Sequence, residues 1–469
     1  MFNYEILKIN KGLPAGRQGS VVMIVLIFGM VFLIMIGGLF SFILFQMRAS
    51  AQRLAWYQSL YIAEAGVDYY KWCLNNGAQG ECTPNKEYFD IQGNSLGEFS
   101  LDVEETISCG ELIDRSINAI GWVNNFPSTT REIAVTYGRI SVGKFAYLLN
   151  DSVWAGSDRE IRGHYHSNGG IRMDGENQSI VSSSLEEWVC TSSFGCSPSS
   201  IKDGVFTTTN NSKTDLFQFP VPPFDFEGIT IDLAEIKSKA GVNGTYLPPS
   251  VNINSSADGY HLIFNNNGTV EVRIITRLYS DWAYNEEEDW HYDDFRIRTE
   301  YYYNTYTIND DCSVIFAEDN IWIEGVVNKK TTIASANLIE ANKDTTIVLV
   351  DDMDYVDKDG TDGFTAIAEN NVLISPSSPD QLELRGIFVA QKGHFGRNHY
   401  PSNIRSKIEI VGSVVSNGRV GTQWTSGSTI VSGYLERENY IDTKLIYSPC
   451  PFVPYAEYDF KVINWEEVE

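Results

Sequence analysis

The residues that could most directly hold a metal ion lie in the acidic segment DDMDYVDKDGTDG, which begins at residue 351. It contains Asp357, Asp359 and Asp362, and Ca²⁺ takes several carboxylate and carbonyl oxygens from one flexible loop. The register does not fit an EF-hand, because Tyr355 occupies the first ligand position. The segment therefore predicts either a calcium-binding loop or a solvated acidic loop.

A second acidic run, EEED at residues 286–289, is flanked by Trp282 and Trp290. Aromatic rings beside carboxylates are suited to contact a cation or a sugar, but the solvated end of a hairpin has the same composition. The surrounding residues 276–308 are rich in aromatic and acidic side chains. We interpret them as a twisted β-hairpin, in which cross-strand aromatic pairs contribute roughly 0.2–1 kcal/mol each.

Catalytic motifs are absent from the sequence. It contains no GxSxG, HExxH, GxxxxGK[ST] or GxGxxG pattern, so no nucleophile elbow, zinc-protease helix or phosphate-binding loop is indicated. Acidic residues are numerous, but nothing in the sequence pairs two of them as general acid and base. We therefore expect that the protein is not an enzyme.

The seven cysteines are widely spread, and no CxxC pair indicates a zinc site. Two spacings suit small disulfide-closed loops in an oxidising compartment, one between Cys73 and Cys82 and the other between Cys190 and Cys196. The other three cysteines leave one that cannot pair within the chain. The alternative is that several of the seven are buried thiols.

The element that must position everything else is a long apolar segment near the start of the chain. No charged residue occurs between Arg17 and Arg48, and about 20 apolar residues span a bilayer core. A helical pattern continues to Lys71 without Pro or Gly between residues 46 and 65, which argues against a cleaved signal peptide. We predict one helix over 20–72, half in lipid and half outside it.

The residues around this helix resemble the N-terminus of type IV pilins. The leader 1–19 is basic and ends in Gly19, and Ser20 starts the apolar run. Further on, Gln58 precedes Ala63-Glu64-Ala65-Gly66, which is similar to the signature of PilX-like minor pilins.

The resemblance implies cleavage by a prepilin peptidase between Gly19 and Ser20. It also implies a role in priming or capping a type IV pilus, with other pilins, the assembly machinery and the membrane as partners. Gly29, Gly37 and Gly38 would let the helix bend or partly melt on assembly. Ile24 stands where major pilins carry Glu, so a bulk fibre subunit is disfavoured.

Two alternatives to a pilus subunit remain open. One is a plain single-pass anchor with a juxtamembrane helix. The other is a membrane-anchored surface protein that binds or acts on carbohydrate and never enters a pilus. In each case the basic leader favours a cytoplasmic N-terminus, which places the body outside the membrane.

The formal net charge of −26 restricts the partners of the body. An acidic surface repels nucleic acid phosphates, so we expect no nucleic acid partner. No cofactor other than calcium is indicated.

Beyond the helix the chain is rich in strand signals, so the predicted fold class is mainly β with one long N-terminal α-helix. Alternating patterns predict a small antiparallel sheet over 73–145. Short strand–glycine–strand repeats, such as those at 161–169, 384–393 and 411–418, predict a right-handed parallel β-helix over 146–450. A β-sandwich-like head is the alternative, and 451–469 would be a C-terminal tail.

The first of these repeats contains HYHSNGG, which is similar to the HSNG motif of domains that follow PilX-like helices. His164 and His166 lie two apart on a predicted strand, so both side chains would point to one face. That arrangement suits either half of a metal site or a structural turn, and the resemblance favours the turn.

Overall fold

The structure, a computed structural model, describes residues 18–76, 82–228, 232–340, 343–427 and 429–468, with side chains from residue 21 onward. The chain divides into two compact units. The first consists of the described residues of Met1–Asp102, Asn118–Ala134 and Glu466–Glu469, and the second of Val103–Ile117 and Val135–Trp465.

The chain begins with one long helix, α1 (Gln18–Asn75), which has no interruption. Its side chains are exposed up to residue 54 with few exceptions, and burial begins at Ala55. Ser59 anchors the second half, because its hydroxyl donates to the carbonyl of Thr129 at 2.7 Å. The predicted mainly β chain with one long N-terminal helix is confirmed.

Four strands follow: β1 (Asn85–Phe89), β2 (Ser95–Ser108), β3 (Glu111–Val123) and β4 (Phe126–Ser141). With the last strand of the chain they form a five-stranded sheet in the order β1-β2-β3-β4-β31. β1 and β2 pair antiparallel. On β2 to β4, buried and half-exposed side chains alternate, which is the period-2 pattern that the sequence indicated.

Glycines allow α1 to approach the strands closely. A Cβ atom at Gly121 would lie 2.3 Å from the Ser59 carbonyl oxygen and 2.5 Å from the Ala63 nitrogen. A Cβ at Gly66 would lie 2.9 Å from the ring of Phe99. Backbone therefore packs directly on backbone here, and a side chain larger than hydrogen at residue 121 would separate helix and strand.

The first part of the body contains eleven short strands. They are β5 (Phe145–Leu149), β6 (Val153–Ala155), β7 (Arg159–Arg162), β8 (His164–Ser167), β9 (Ile171–Met173), β10 (Glu176–Asn177), β11 (Val181–Ser183), β12 (Glu187–Cys190), β13 (Ser200–Asp203), β14 (Val205–Phe206) and β15 (Phe217–Gln218).

The helix α2 (Leu233–Val242) comes next, and the side chain of Asp232 caps its first turn. It is followed by β16 (Thr245–Leu247), β17 (Gly259–Asn265), β18 (Thr269–Asn285), β19 (Asp289–Thr307), β20 (Val314–Ala317), β21 (Ile321–Val327), β22 (Lys330–Ser335) and β23 (Ile347–Tyr355).

The remaining elements are β24 (Gly363–Ala368), β25 (Val372–Ile374), β26 (Gln381–Ala390), β27 (Phe395–Gly396), β28 (Ile404–Ser416), β29 (Gln423–Ser426), β30 (Thr429–Tyr440), the short helix α3 (Thr443–Tyr447) and β31 (Tyr455–Val468). The segment expected to be a C-terminal tail is therefore largely a strand.

Parallel ladders organise the body. The longest runs through β16, β20, β22, β24, β26, β28, β5, β8, β11 and β15, and every neighbouring pair in it is parallel. A second ladder runs through β21, β23, β26, β28, β30, β7 and β10. This pairing favours a solenoid over a sandwich, and the right-handed sense of the coils stays a prediction.

The order of the ladders differs from the order of the chain. β28 pairs with β5, so Val414 lies opposite Tyr147 and Val415 opposite Leu148. The chain thus enters the ladder in its middle, reaches one end at β15, and restarts at the other end at β16. Its last ladder strands return to the entry point.

Glycines in the predicted repeats adopt the backbone conformation that a sharp bend needs. Gly325, Gly386 and Gly412 have φ values of 118°, 142° and 144°. Gly386 lies opposite Gly412 in the ladder, and a Cβ at Gly412 would lie 1.8 Å from the Gly386 carbonyl oxygen. Only glycine combines this conformation with so close an approach.

The core of the body consists of side chains that stack from one strand to the next. Ile323 lies opposite Leu349, and Leu349 lies opposite Ile374. All three are at most 1 % exposed, and burying such a side chain contributes about 1.5–3 kcal/mol. Each coil therefore covers the apolar face of the next one.

Three disulfides are present among the described residues. They join Cys73 to Cys82, Cys190 to Cys196, and Cys109 to Cys312. The first two are the pairs that the spacing suggested. The third spans 203 residues, a separation that no sequence spacing indicates. Cys450 is free and buried, and burial raises the pKa of its thiol to about 12, which keeps it unreactive.

We predict that Gly121→Ala loosens the contact between α1 and the sheet, because the added methyl group meets helix backbone that cannot move aside alone. Overpacking of this kind costs about 1–3 kcal/mol. Hydrogen–deuterium exchange of peptides from β3 and from the second half of α1 should become faster. Gly241→Ala is the control, since its Cβ would meet no atom within 4 Å. Equal effects of both variants would contradict the prediction.

We also predict that removal of the Cys109–Cys312 disulfide lowers stability more than removal of the Cys190–Cys196 disulfide. The two bonds close loops of 203 and 6 residues. The chain-entropy model gives roughly 5 and roughly 2 kcal/mol for such loops. Thermal unfolding of the two paired Cys→Ala variants measures the difference, and equal losses in Tm would argue against it.

Candidate functional site

The first half of α1 presents an apolar surface in every direction. At residues 21–47 most side chains are large, apolar and exposed, from Val21 to Met47. Among the described residues, one helix is long and apolar enough to cross a membrane, and it covers Val21–Asn75 with a peak mean hydropathy of 2.9. A helix that is apolar all round requires lipid or other apolar helices around it.

The signature residues lie where α1 passes from this exposed surface to the sheet. Ala63 and Gly66 are buried against the strands, while Gln58, Glu64 and Ala65 are half-buried. Ala63 and Gly66 therefore have a packing role. The half-buried residues are accessible for other contacts.

The leader up to residue 17 lies outside the described residues, and so do the side chains of Gly19 and Ser20. Cleavage between Gly19 and Ser20 stays a prediction. Gly29, Gly37 and Gly38 lie in regular helix, and a Cβ at each would meet no atom within 4 Å. Their predicted role in bending is likewise untested.

The predicted calcium ligands do not converge. The Asp362 carboxylate accepts a hydrogen bond from the Asp357 amide at 2.8 Å, and the Asp359 carboxylate accepts from the Thr361 amide and hydroxyl. Burial raises the pKa of Asp362. These three carboxylates are not all within 4.8 Å of one another, so the carboxylates stabilise the loop itself, and calcium binding stays a prediction.

The two histidines of the HYHSNGG repeat share one hydroxyl group. His164 Nε2 and His166 Nδ1 lie 2.8 Å and 2.9 Å from Ser182 Oγ. His166 Nε2 lies 3.2 Å from Asn168 Oδ1, so it donates there, and Nδ1 accepts from the serine. Burial lowers the pKa of His164 to about 4, and it also lowers the pKa of His166.

Asn168, in the same motif, has a structural role in the turn. Its amide nitrogen donates to the Phe224 carbonyl at 2.8 Å, and its amide oxygen accepts from the Phe224 nitrogen at 2.7 Å. The side chain thus fixes the proline-rich segment that leads away from β15. This geometry supports the structural interpretation of the motif.

The long β18–β19 hairpin has an aromatic face near its tip. Trp282 and Trp290 stack with ring centroids 5.7 Å apart, and Tyr292 meets Trp282 edge-on at 4.9 Å. These rings are 45 %, 45 % and 65 % exposed. Tyr284 and Trp424 pack beside them. The face is suited to stack on a flat apolar or cationic group.

The acidic run at this tip is partly paired. Glu286 binds Arg419 at 2.5 Å, and Glu287 lies 3.7 Å from His394 Nδ1. The run was expected to be either a contact site or a solvated end, and two of its members instead hold the tip to the body. Glu288 has a different environment, described below.

A row of carboxylates crosses the second parallel ladder. One glutamate occupies each successive partner position on β26, β28, β30, β7 and β10. In that order they are Glu383, Glu409, Glu438, Glu160 and Glu176. Basic side chains pair with four of them: Lys407 lies 3.2 Å from Glu409 and 2.9 Å from Glu438, Arg385 pairs with Glu383, and Arg162 pairs with Glu160. The row is thus a set of ion pairs rather than two carboxyl groups that share a proton.

The sequence patterns above do not identify two features of the structure, namely one disulfide pairing and one pair of polar residues. The Cys109–Cys312 bond needed the tertiary structure. His291 and Asp293, which lie next to the acidic tip, were also overlooked. Their signal in the sequence is a histidine and an aspartate two residues apart, just after a turn, where both side chains share a face.

Neither a protein-family model nor a curated protein matches the chain. Among solved structures, the crystal structure of the competence-associated pilin ComZ from Thermus thermophilus is similar at a TM-score of 0.32 and 11 % identity. The likeness covers 88 % of this chain and 98 % of that one. A TM-score this low carries no argument about fold or function.

We predict that the body loses stability as the pH falls from about 6.5 toward 4. His164 is held neutral by burial, with Lys144 and His166 facing it. The unfolded chain binds a proton in this range and the folded chain does not, so acid favours unfolding. In His164→Gln the fall in Tm between neutral pH and pH 5 should be smaller. An unchanged pH slope would contradict this assignment.

Proposed function

We propose that this chain is a minor pilin-type subunit that primes or caps a type IV pilus. The observation that carries the proposal is the division of α1 into two halves. At 1.5 Å per residue, residues 21–47 extend about 40 Å, enough for a bilayer core of about 30 Å. The same helix then continues without a break into a sheet-packed half.

Such a helix has a use in both states of a pilus subunit. Before assembly, lipid covers its apolar surface. After assembly, the apolar helices of neighbouring subunits cover it instead. The partners in this proposal are therefore other pilins, together with the assembly machinery and a prepilin peptidase that cuts after Gly19.

The disulfides support a body outside the cytoplasm. Three bonds are formed among the described residues, and structural disulfides persist in oxidising compartments. The basic leader favours a cytoplasmic N-terminus, so the two observations agree on one topology. The body is then exposed at the cell surface or on the pilus for adhesion or scaffolding.

The position of Ile24 argues for a minor rather than a bulk role. An acidic side chain is what the resemblance expects at this position in a major subunit, and Ile24 offers no charge to a neighbouring N-terminus. A subunit without that pairing group is better suited to the end of a fibre, where fewer neighbours are required.

A membrane-anchored surface protein that binds carbohydrate is the second candidate. The exposed rings of Trp282, Trp290 and Tyr292 favour it, because aromatic faces are a common platform for sugars. Shearing of cells separates the two functions. A pilus subunit leaves with the fibres, whereas a plain anchored protein stays with the membrane.

Co-expression with a prepilin peptidase tests the proposal. We expect the mature protein to begin at Ser20, because the cleavage site then directly precedes the apolar run. N-terminal sequencing gives the answer, and an inactive peptidase is the control. A chain that still begins at Met1, or that is cut beyond Met47, would refute assignment to the pilin export pathway.

A further inference from the structure

Three potential metal ligands converge at the tip of the β18–β19 hairpin. The ligand atoms of Glu288, His291 and Asp293 all lie within 4.8 Å of one another. His291 Nε2 is 2.6 Å from Asp293 Oδ1 and 3.2 Å from Glu288 Oε2. Across the ranges that the structure describes, no other three His, Cys, Asp or Glu side chains meet in this way.

The hairpin register brings these residues together. Ala283 lies opposite His291 and Asp281 opposite Asp293, so positions 291 and 293 face the same side of the hairpin. The turn is fixed by Asn285, whose side-chain oxygen accepts hydrogen bonds from the amides of residues 287 and 288. That turn directs Glu288 back toward the histidine.

A backbone carbonyl orients the imidazole. His291 Nδ1 lies 2.9 Å from the carbonyl oxygen of Asp289. A carbonyl oxygen only accepts, so Nδ1 carries a hydrogen, and Nε2 is the ring nitrogen that faces the carboxylates of Asp293 and Glu288. Metal-binding histidines are characteristically held by such a bond from their other nitrogen.

The Asp293 carboxylate is held in the same manner. It is 4 % exposed, and its Oδ2 atom accepts a hydrogen bond from Asn398 Nδ2 at 2.8 Å. The hydroxyl of Tyr400 also bonds this carboxylate. These contacts occupy one side of the group and leave Oδ1 directed at the histidine.

The arrangement therefore brings one imidazole nitrogen and two carboxylate oxygens to a common position. Without a metal ion, the protonated ring donates through Nε2 to Asp293 Oδ1 at 2.6 Å. A divalent ion would replace that proton and bring more positive charge to the two carboxylates. One nitrogen and two oxygens form a donor set for Zn²⁺ and related transition metals, with a further position for water. Ca²⁺ and Mg²⁺ prefer oxygen ligands alone.

We propose that Glu288, His291 and Asp293 form a binding site for Zn²⁺ or a chemically similar divalent transition metal. The ion would join Glu288, which is 65 % exposed in the turn, to Asp293, which is buried. It would thereby fix the hairpin tip and the aromatic face formed by Trp282, Trp290 and Tyr292. The proposal is independent of the pilus assignment.

Calorimetric titration of the metal-free full-length chain in detergent with Zn²⁺ tests this site. We expect saturable one-to-one binding and a change in tryptophan fluorescence. His291→Gln and Asp293→Asn should abolish saturable binding at concentrations that saturate the parent. Asn398→Ala removes only a supporting contact and should weaken binding about 10- to 100-fold.

Glu287→Gln is the matched control, since it removes one negative charge from the same turn without removing a proposed ligand. Its affinity should equal that of the parent. Absence of saturable binding in the parent would overturn the proposal, and so would unchanged binding in His291→Gln. Equal weakening in Glu287→Gln and His291→Gln would attribute the effect to net charge and overturn it too. Circular dichroism of each variant without metal verifies folding, and His291→Gln suffices if Asp293→Asn does not fold.

Discussion

The parallel pairing of β28 with β5 is the contact on which the body depends. It joins residues 145–149 to residues 414–416, so the coils formed early in the chain complete the ladder formed late. Without it, each of two stacks would end in an unpaired edge and an uncovered apolar face. Unpaired strand edges can pair with other chains and so promote aggregation. Contacts between segments this far apart in the chain also form slowly, because the long loop between them must close first.

The two halves of α1 differ in whether their apolar surface is covered. Its second half is buried because Gly121 lets the backbone of β3 approach the helix backbone at Ser59 and Ala63, and because Gly66 lets the ring of Phe99 approach the helix. Its first half has no such partner among the described residues. The chain therefore carries an apolar surface whose cover must come from lipid or from other subunits, which is the physical basis of the proposed function.

Most candidate polar sites become structural once their partners are known. The Asp-rich loop satisfies its own amides, the HYHSNGG repeat binds Ser182 and Phe224, and the carboxylate row is paired with flanking basic side chains. The hairpin tip differs, because two carboxylates converge there on one imidazole nitrogen. A divalent metal ion in place of the Nε2 hydrogen would bind all three groups at once.

The sequence by itself determined the elements whose signal is local. An uninterrupted apolar run specifies a long helix, alternation specifies strands, and glycines in repeated positions specify bends such as those at Gly386 and Gly412. Only the tertiary structure decided what lies far apart in the chain: the β28–β5 junction, the Cys109–Cys312 bond, the strand formed by Tyr455–Val468, and the support of Asp293 by Asn398. Local patterns constrain backbone conformation, but partner choice between distant segments is decided by packing and register, which no local pattern encodes.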